Sequence, residues 1–122
     1  WKVDLGTRII TPIAGTGRKG FTGDGGPALE GTFKGPKGIV VDSKEENVYV
    51  VDTENQALRR IHLPTGRLSS LAGYGPKGRG YNGEGVPAAK AKFGRPHGIC
   101  IGPDGAVYTG DTLNHRVRRV RW

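Results

Sequence analysis

Asp52 and Asn55, and again Asp111 and Asn114, set a carboxylate and a carboxamide three positions apart, and an arginine follows each pair, Arg59 or Arg118. Two chemistries suit that pattern. The pairs could face a ligand from a loop, or the Asx side chains could cap their own tight turn while the aspartate pairs with the nearby arginine. Recurrence of the whole set favours the structural role. Lys37 and His97 each stand between a proline and a glycine. With neighbouring backbone amides they could receive a carboxylate or a phosphate. The arginines at 59, 60, 116, 118, 119 and 121 form the densest basic cluster, and nucleic-acid binding is the chemistry such a cluster suggests. They alternate along strand-like segments, so only part of the set can share one surface. Tyr74 and Tyr81 are few and remote as stacking partners.

Catalytic patterns are thin. No Ser-His-Asp or Cys-His spacing recurs, Asp24 and Glu84 lack a partner base, and the lone Cys100 is expected as a buried, inert thiol within a strand. Gly23-Asp24-Gly25-Gly26 is followed by neither a GK[ST] motif nor a helix pattern, and it lacks the alternating acids of a calcium loop. No cofactor is implied, and the expectation is a protein that is not an enzyme.

These candidates sit in an internal repeat. Ile13-Ala14-Gly15 aligns with Leu71-Ala72-Gly73, and Gly23-Asp24-Gly25-Gly26-Pro27-Ala28 with Gly83-Glu84-Gly85-Val86-Pro87-Ala88. Pro36-Lys37-Gly38-Ile39 matches Pro96-His97-Gly98-Ile99, and Arg59-Arg60-Ile61 matches Arg118-Arg119-Val120. Each unit reads as four short strands, a to d. In the first unit, a is the β-branched run from Gly38 to Asp42, expected to be buried on both faces. Strand b runs from Asn47 to Val51, c from Ala57 to Leu63, and d from Leu68 to Ala72. Pro103-Asp104-Gly105 is a strong hairpin signal in the second unit. No segment has a helical period, and Pro27 to Phe33 could form one short turn.

The predicted order is a lone d strand (Ile9 to Ala14), a complete a-b-c-d unit, then a-b-c. Residues 1–15 thus end a preceding unit, 16–73 form a full repeat, and 74–122 form a repeat without its outermost strand. Unpaired edges invite strand addition, and two units cannot close a ring unaided.

The segments Pro36 to Asp42, Asn47 to Asn55 and Leu58 to Ile61, with their second copy from Pro96 to Val120, resemble the NHL repeat. The glycine-rich stretch from Ala14 to Ala28 resembles the long connections of bacterial NHL proteins. The second copy departs at Gly102, which replaces the usual aspartate, and at Cys100 and Thr109, which occupy apolar slots. Gln56 stands where the second copy has His115.

The resemblance implies an all-β fold, a β-propeller of four-stranded antiparallel blades, usually six. Two blades' worth in this chain means a piece of a longer propeller or an oligomer, with three copies supplying six. It also implies binding near the central channel, where Lys37, His97, Asp52, Asn55, Asp111 and Asn114 are the candidates. The function expected is a scaffold for a protein, peptide or glycan. An RNA-binding module, using Arg59, Arg60, Arg116, Arg118 and Arg119, is the first alternative. A metal-dependent lyase- or lactonase-like enzyme is the second. Against the metal, a threefold ring would interleave cationic Lys37 between copies of His97, and His62 and His115 lie elsewhere.

The formal charge of +8 at neutral pH admits anionic partners or an ordinary solvated basic surface. The 22 glycines and 8 prolines fall in the periodic connections, so they read as turns. No apolar run approaches the roughly 18 residues of a membrane span, and the first residues show no signal-peptide pattern. One cysteine excludes an internal disulfide and leaves the compartment open.

Overall fold

A computed structural model of the chain describes residues 1–121. Among the described residues nine strands form three antiparallel sheets: a hairpin of β1 (Lys2–Val3) and β2 (Ile10–Thr11), a four-stranded sheet and a three-stranded sheet. The four-stranded sheet runs in chain order through β3 (Pro36–Val41), β4 (Asn47–Asp52), β5 (Ala57–His62) and β6 (Arg67–Ala72). The three-stranded sheet repeats it with β7 (Pro96–Ile101), β8 (Val107–Asp111) and β9 (Arg116–Val120). The helical segments among the described residues are single 3-10 turns, including Ala28–Glu30 within the stretch expected to hold one.

Local chemistry accounts for the hairpins. Asp42 Oδ1 accepts from the amides of Glu46 (2.9 Å) and Asn47 (3.2 Å), closing the β3–β4 turn as an Asx cap. Gly102 stands at the corresponding place in the second sheet, and there Asp104 accepts from the Ala106 amide at 3.1 Å. Gly105 supplies the left-handed residue of that turn, with φ of +76°.

The two sheets pack face to face. Tyr49, Val51, Leu58 and Ala72 of the first meet Ala91, Phe93, Val107 and Val120 of the second unit. The other face of the first sheet buries Val48, Val50, Ile61 and Leu68 under Ala28, with Ile13, Ala14 and Phe33 alongside. The sheets approach closely at Gly38, where a built Cβ would collide with the carbonyl oxygen of His97 and lie 3.1 Å from Ile99 Cγ2. Gly98 occupies the matching position in the second sheet, and a Cβ there meets nothing within 4 Å. β3 departs from its expected burial on both faces, since Ile39 is 59% and Val41 48% exposed. The second sheet covers only one of its faces. Cys100 is likewise exposed rather than buried, because it lies on the outer face of β7.

Each of the two larger sheets is locked by a buried ion pair. Asp52 and Arg59 are fully buried, and Arg59 Nη1 donates to Asp52 Oδ2 at 3.2 Å. Asp52 also accepts from the Lys34 amide (2.7 Å) and from Asn55 Nδ2 (2.8 Å). Arg59 reaches the carbonyls of Thr22 (3.1 Å) and Thr32 (3.3 Å) and the carboxylate of Asp24 (2.9 Å). Its guanidinium lies over Phe21 and Phe33, at 4.7 and 5.1 Å from the ring centroids. A single arginine thus fastens strand β5, the β4–β5 turn and the glycine-rich arm before β3. Asp111, Arg118 and Asn114 repeat this: Arg118 Nη1 donates to Asp111 Oδ2 at 2.9 Å, beneath Tyr81 and Phe93.

Two stability predictions follow from burial. Asp52→Ala removes the buried partner of Arg59, the Lys34 amide and Asn55, leaving the guanidinium only the half-exposed Asp24 as counter-charge, and should cost about 3–5 kcal/mol. Asp24→Ala removes a partly exposed partner and should cost less than about 1 kcal/mol. Urea unfolding of the two variants measures the gap, and equal losses would refute the assignment. Gly38→Val should destabilise by about 1–3 kcal/mol through overpacking, whereas Gly98→Val should leave the chain's own melting transition unchanged.

Candidate functional site at the strand-entry end

Strands β3 and β7 begin at the same end of the molecule, beside the 3-10 turns Thr53–Asn55 and Thr112–Asn114 that join β4 to β5 and β8 to β9. Lys37 is exposed on β3. Half-buried His97 lies in the corresponding place on β7, its backbone against Gly38. His97 Nδ1 is 2.8 Å from the Arg95 carbonyl and 3.0 Å from Thr112 Oγ1. A carbonyl can only accept, so Nδ1 carries the proton and Nε2 is the acceptor of the neutral ring.

The carboxylates and carboxamides expected near the channel are committed to the chain itself. Asn55 donates to the Gly20 carbonyl and Asn114 to that of Gly80, both at 2.7 Å. Burial is the largest influence on Asp52 and pushes its carboxyl above the usual range, opposed by the hydrogen bonds from Asn55 and Lys34 and by the charge of Arg59. The arginine set divides. Arg59 and Arg118 are internal, Arg60 is half-buried opposite Tyr49, and Arg119 pairs with Asp104 (2.6 Å) at the far end. Of the five nucleic-acid candidates, Arg116 alone lies exposed by the strand-entry turns, stacked on Tyr81 at 4.1 Å.

Residues between the sheets escaped the sequence reading. Arg95 takes a left-handed backbone (φ +50°), its amide donates to Gln56 Oε1 at 2.6 Å, and its guanidinium pairs with Glu54 at 2.6 Å. Thr53 Oγ1 donates to the Pro96 carbonyl at 2.6 Å. The turn of one sheet therefore grips the entry of the next. Only the Gly35/Arg95 correspondence before the two prolines marks this position in the sequence.

Charge is segregated between the two ends. Arg18, Lys19, Lys34, Lys37, Lys77 and Arg79 all lie on the entry-end arms and strands. Glu54 there is paired with Arg95, while Asp24 and Glu84 are turned to Arg59 and Arg118. The opposite end mixes Asp42, Glu45, Glu46 and Asp104 with Lys44, Arg67, Arg119 and Arg121. Among the described residues no three His, Cys, Asp or Glu side chains group so as to hold a metal ion.

The NHL repeat profile matches residues 93–120. The chain is 34% identical over 109 residues to Protein SUPPRESSOR OF QUENCHING 1, chloroplastic, of Arabidopsis thaliana, covering 88% of this chain and 10% of that protein. It is 29% identical over 94 residues to human NHL repeat-containing protein 2, covering 76% and 12%. Among solved structures it resembles an auxiliary nutrient binding protein from Bacteroides thetaiotaomicron, with a TM-score of 0.73, 28% identity, and coverage of 98% of this chain and 31% of that one. The chain thus spans about a tenth of the length of these curated relatives and under a third of that solved chain. With the repeat found by profile, by named relatives and by fold, the chain belongs to the NHL repeat family, and its two larger sheets are blades of a β-propeller.

Proposed function

We propose that this blade pair is a non-catalytic binding scaffold whose strand-entry end takes an acidic glycan, peptide or protein segment. The observation that carries this is the one-sided charge: exposed cations crowd the entry end while its carboxylates are held in ion pairs. Unpaired cations on rigid strands and short turns attract anions with little reorganisation. The binding role named for the Bacteroides thetaiotaomicron neighbour agrees with this reading.

RNA would meet the same charge but finds a poor stacking surface. Arg116 already occupies a face of Tyr81, whose hydroxyl donates to Glu84 at 3.1 Å, and base stacking supplies much of single-strand affinity.

Lys19 and Lys37 are exposed and outside the buried networks, so reversing both tests the surface without disturbing the fold. Titration calorimetry with an oligogalacturonate, an oligoglutamate peptide and a single-stranded RNA should show a glycan or peptide binding, with affinity falling as salt rises. Lys19→Glu with Lys37→Glu should weaken it about tenfold, or 1.4 kcal/mol. Affinity indifferent to the double reversal, binding to neither acidic probe, or binding to RNA alone would overturn the proposal.

A further inference from the structure

We infer that Arg95 is the anchor for a ligand glutamate at the strand-entry end, and that Glu54 of the neighbouring blade holds the guanidinium until that ligand displaces it. This rests on the binding role proposed for the entry end and names the partner as an acidic peptide. The repeat lets like be compared with like. Arg95-Pro96 in the second blade corresponds to Gly35-Pro36 in the first, and both leading residues take the left-handed backbone, with φ of +50° and +59°. Glycine adopts that conformation freely, whereas a side chain there is strained. The hydrogen bond to Gln56 does not account for the arginine, because it uses only the Arg95 amide and glycine has the same amide. Nor does the ion pair with Glu54. It is a single contact, Nη2 to Oε1 at 2.6 Å, between side chains that are 41% and 36% exposed, and such exposed pairs add little to stability. What the second blade gains over the first is the guanidinium itself.

Its donors are incompletely used. Arg95 Nε is buried, yet it donates to nothing among the described residues. An arginine fork meets a carboxylate best through two parallel hydrogen bonds. One oxygen on Nη2 and the other on Nε would complete the pair, and Glu54 supplies only the first. Glu54 is tied to its turn, where its own amide donates to the Lys34 carbonyl at 3.1 Å. A carboxylate arriving from solvent has no such tether.

The contact already present selects the ligand. Glu54 shows that a carboxylate on a slender aliphatic stalk reaches this guanidinium. A peptide glutamate carries its carboxylate on the same stalk. A uronate carries it directly on a bulky ring, which is poorly shaped to bring an oxygen to a buried Nε. Exchange also keeps the charge balanced. The ligand carboxylate replaces that of Glu54 on Arg95, and Glu54, already partly exposed, turns to water. Glu54 therefore acts as an internal competitor that sets how readily the site accepts its ligand.

Titration calorimetry of the protein with an oligoglutamate peptide and an oligogalacturonate, beside thermal melts, tests this. Arg95→Gly installs the residue of the first blade and should lower peptide affinity about tenfold without lowering the melting temperature. Arg95→Lys keeps the charge without the fork and should lower affinity about threefold. Glu54→Gln removes the competitor and should raise peptide affinity about fivefold. That gain should vanish in the Arg95→Gly background, where a general charge effect would persist. A purely structural clasp gives the reverse, with lower melting temperatures for Arg95→Gly and Glu54→Gln and unchanged affinity. That result, a gain that survives without Arg95, or binding of the oligogalacturonate alone would overturn the inference. If Lys19→Glu with Lys37→Glu still weakens binding in that event, the entry end remains a binding surface and only the role of Arg95 falls.

Discussion

Everything in the repeat hangs on a carboxylate buried at the end of strand b. An unpaired charge in a dry interior is too costly to persist, so burial of Asp52 demands a cation within reach, and Arg59 on the next strand supplies it. That arginine in turn needs more partners than one carboxylate offers. The carbonyls of Thr22 and Thr32 and the faces of Phe21 and Phe33 meet the need, and all four come from the glycine-rich arm. Electrostatic satisfaction of one side chain therefore dictates how a long, otherwise irregular connection folds back on the sheet. Asp111 and Arg118 enforce the same geometry in the second blade.

Much of this was visible in the sequence because it is local or repeated. The b–c turn, its Asx residue and the following arginine lie within a few positions of one another, and duplication distinguishes a structural set from a one-off site. The strands were legible from β-branched runs such as Val48 to Val51 and from turns such as Pro103-Asp104-Gly105. The arm was less so. Phe33 reads as a core residue in sequence but is half-buried and serves as a platform for Arg59. Cys100 reads as an inert interior thiol and is exposed, because strand pattern alone does not tell which face of an outer blade finds a neighbour.

Contacts between the blades were illegible for a related reason. Arg95 and Glu54 are separated by 41 positions, and nothing in either local sequence announces the other. Only the stacking of one sheet on the next brings the turn of the first to the entry of the second. The candidate binding end shows the same division. Lys37 and His97 were recognisable as equivalent residues, whereas the gathering of cations at one end depends on how the arms fold around the sheets.

Because each buried guanidinium is neutralised by acids of its own repeat, charge balance in the interior is settled unit by unit. Gain or loss of a whole repeat by gene duplication or deletion would leave no orphaned ion inside the protein. The joints between units carry their polar contacts near the surface, where mismatches are mild. Such a chain can vary its number of blades through evolution while the interior of each one stays chemically complete.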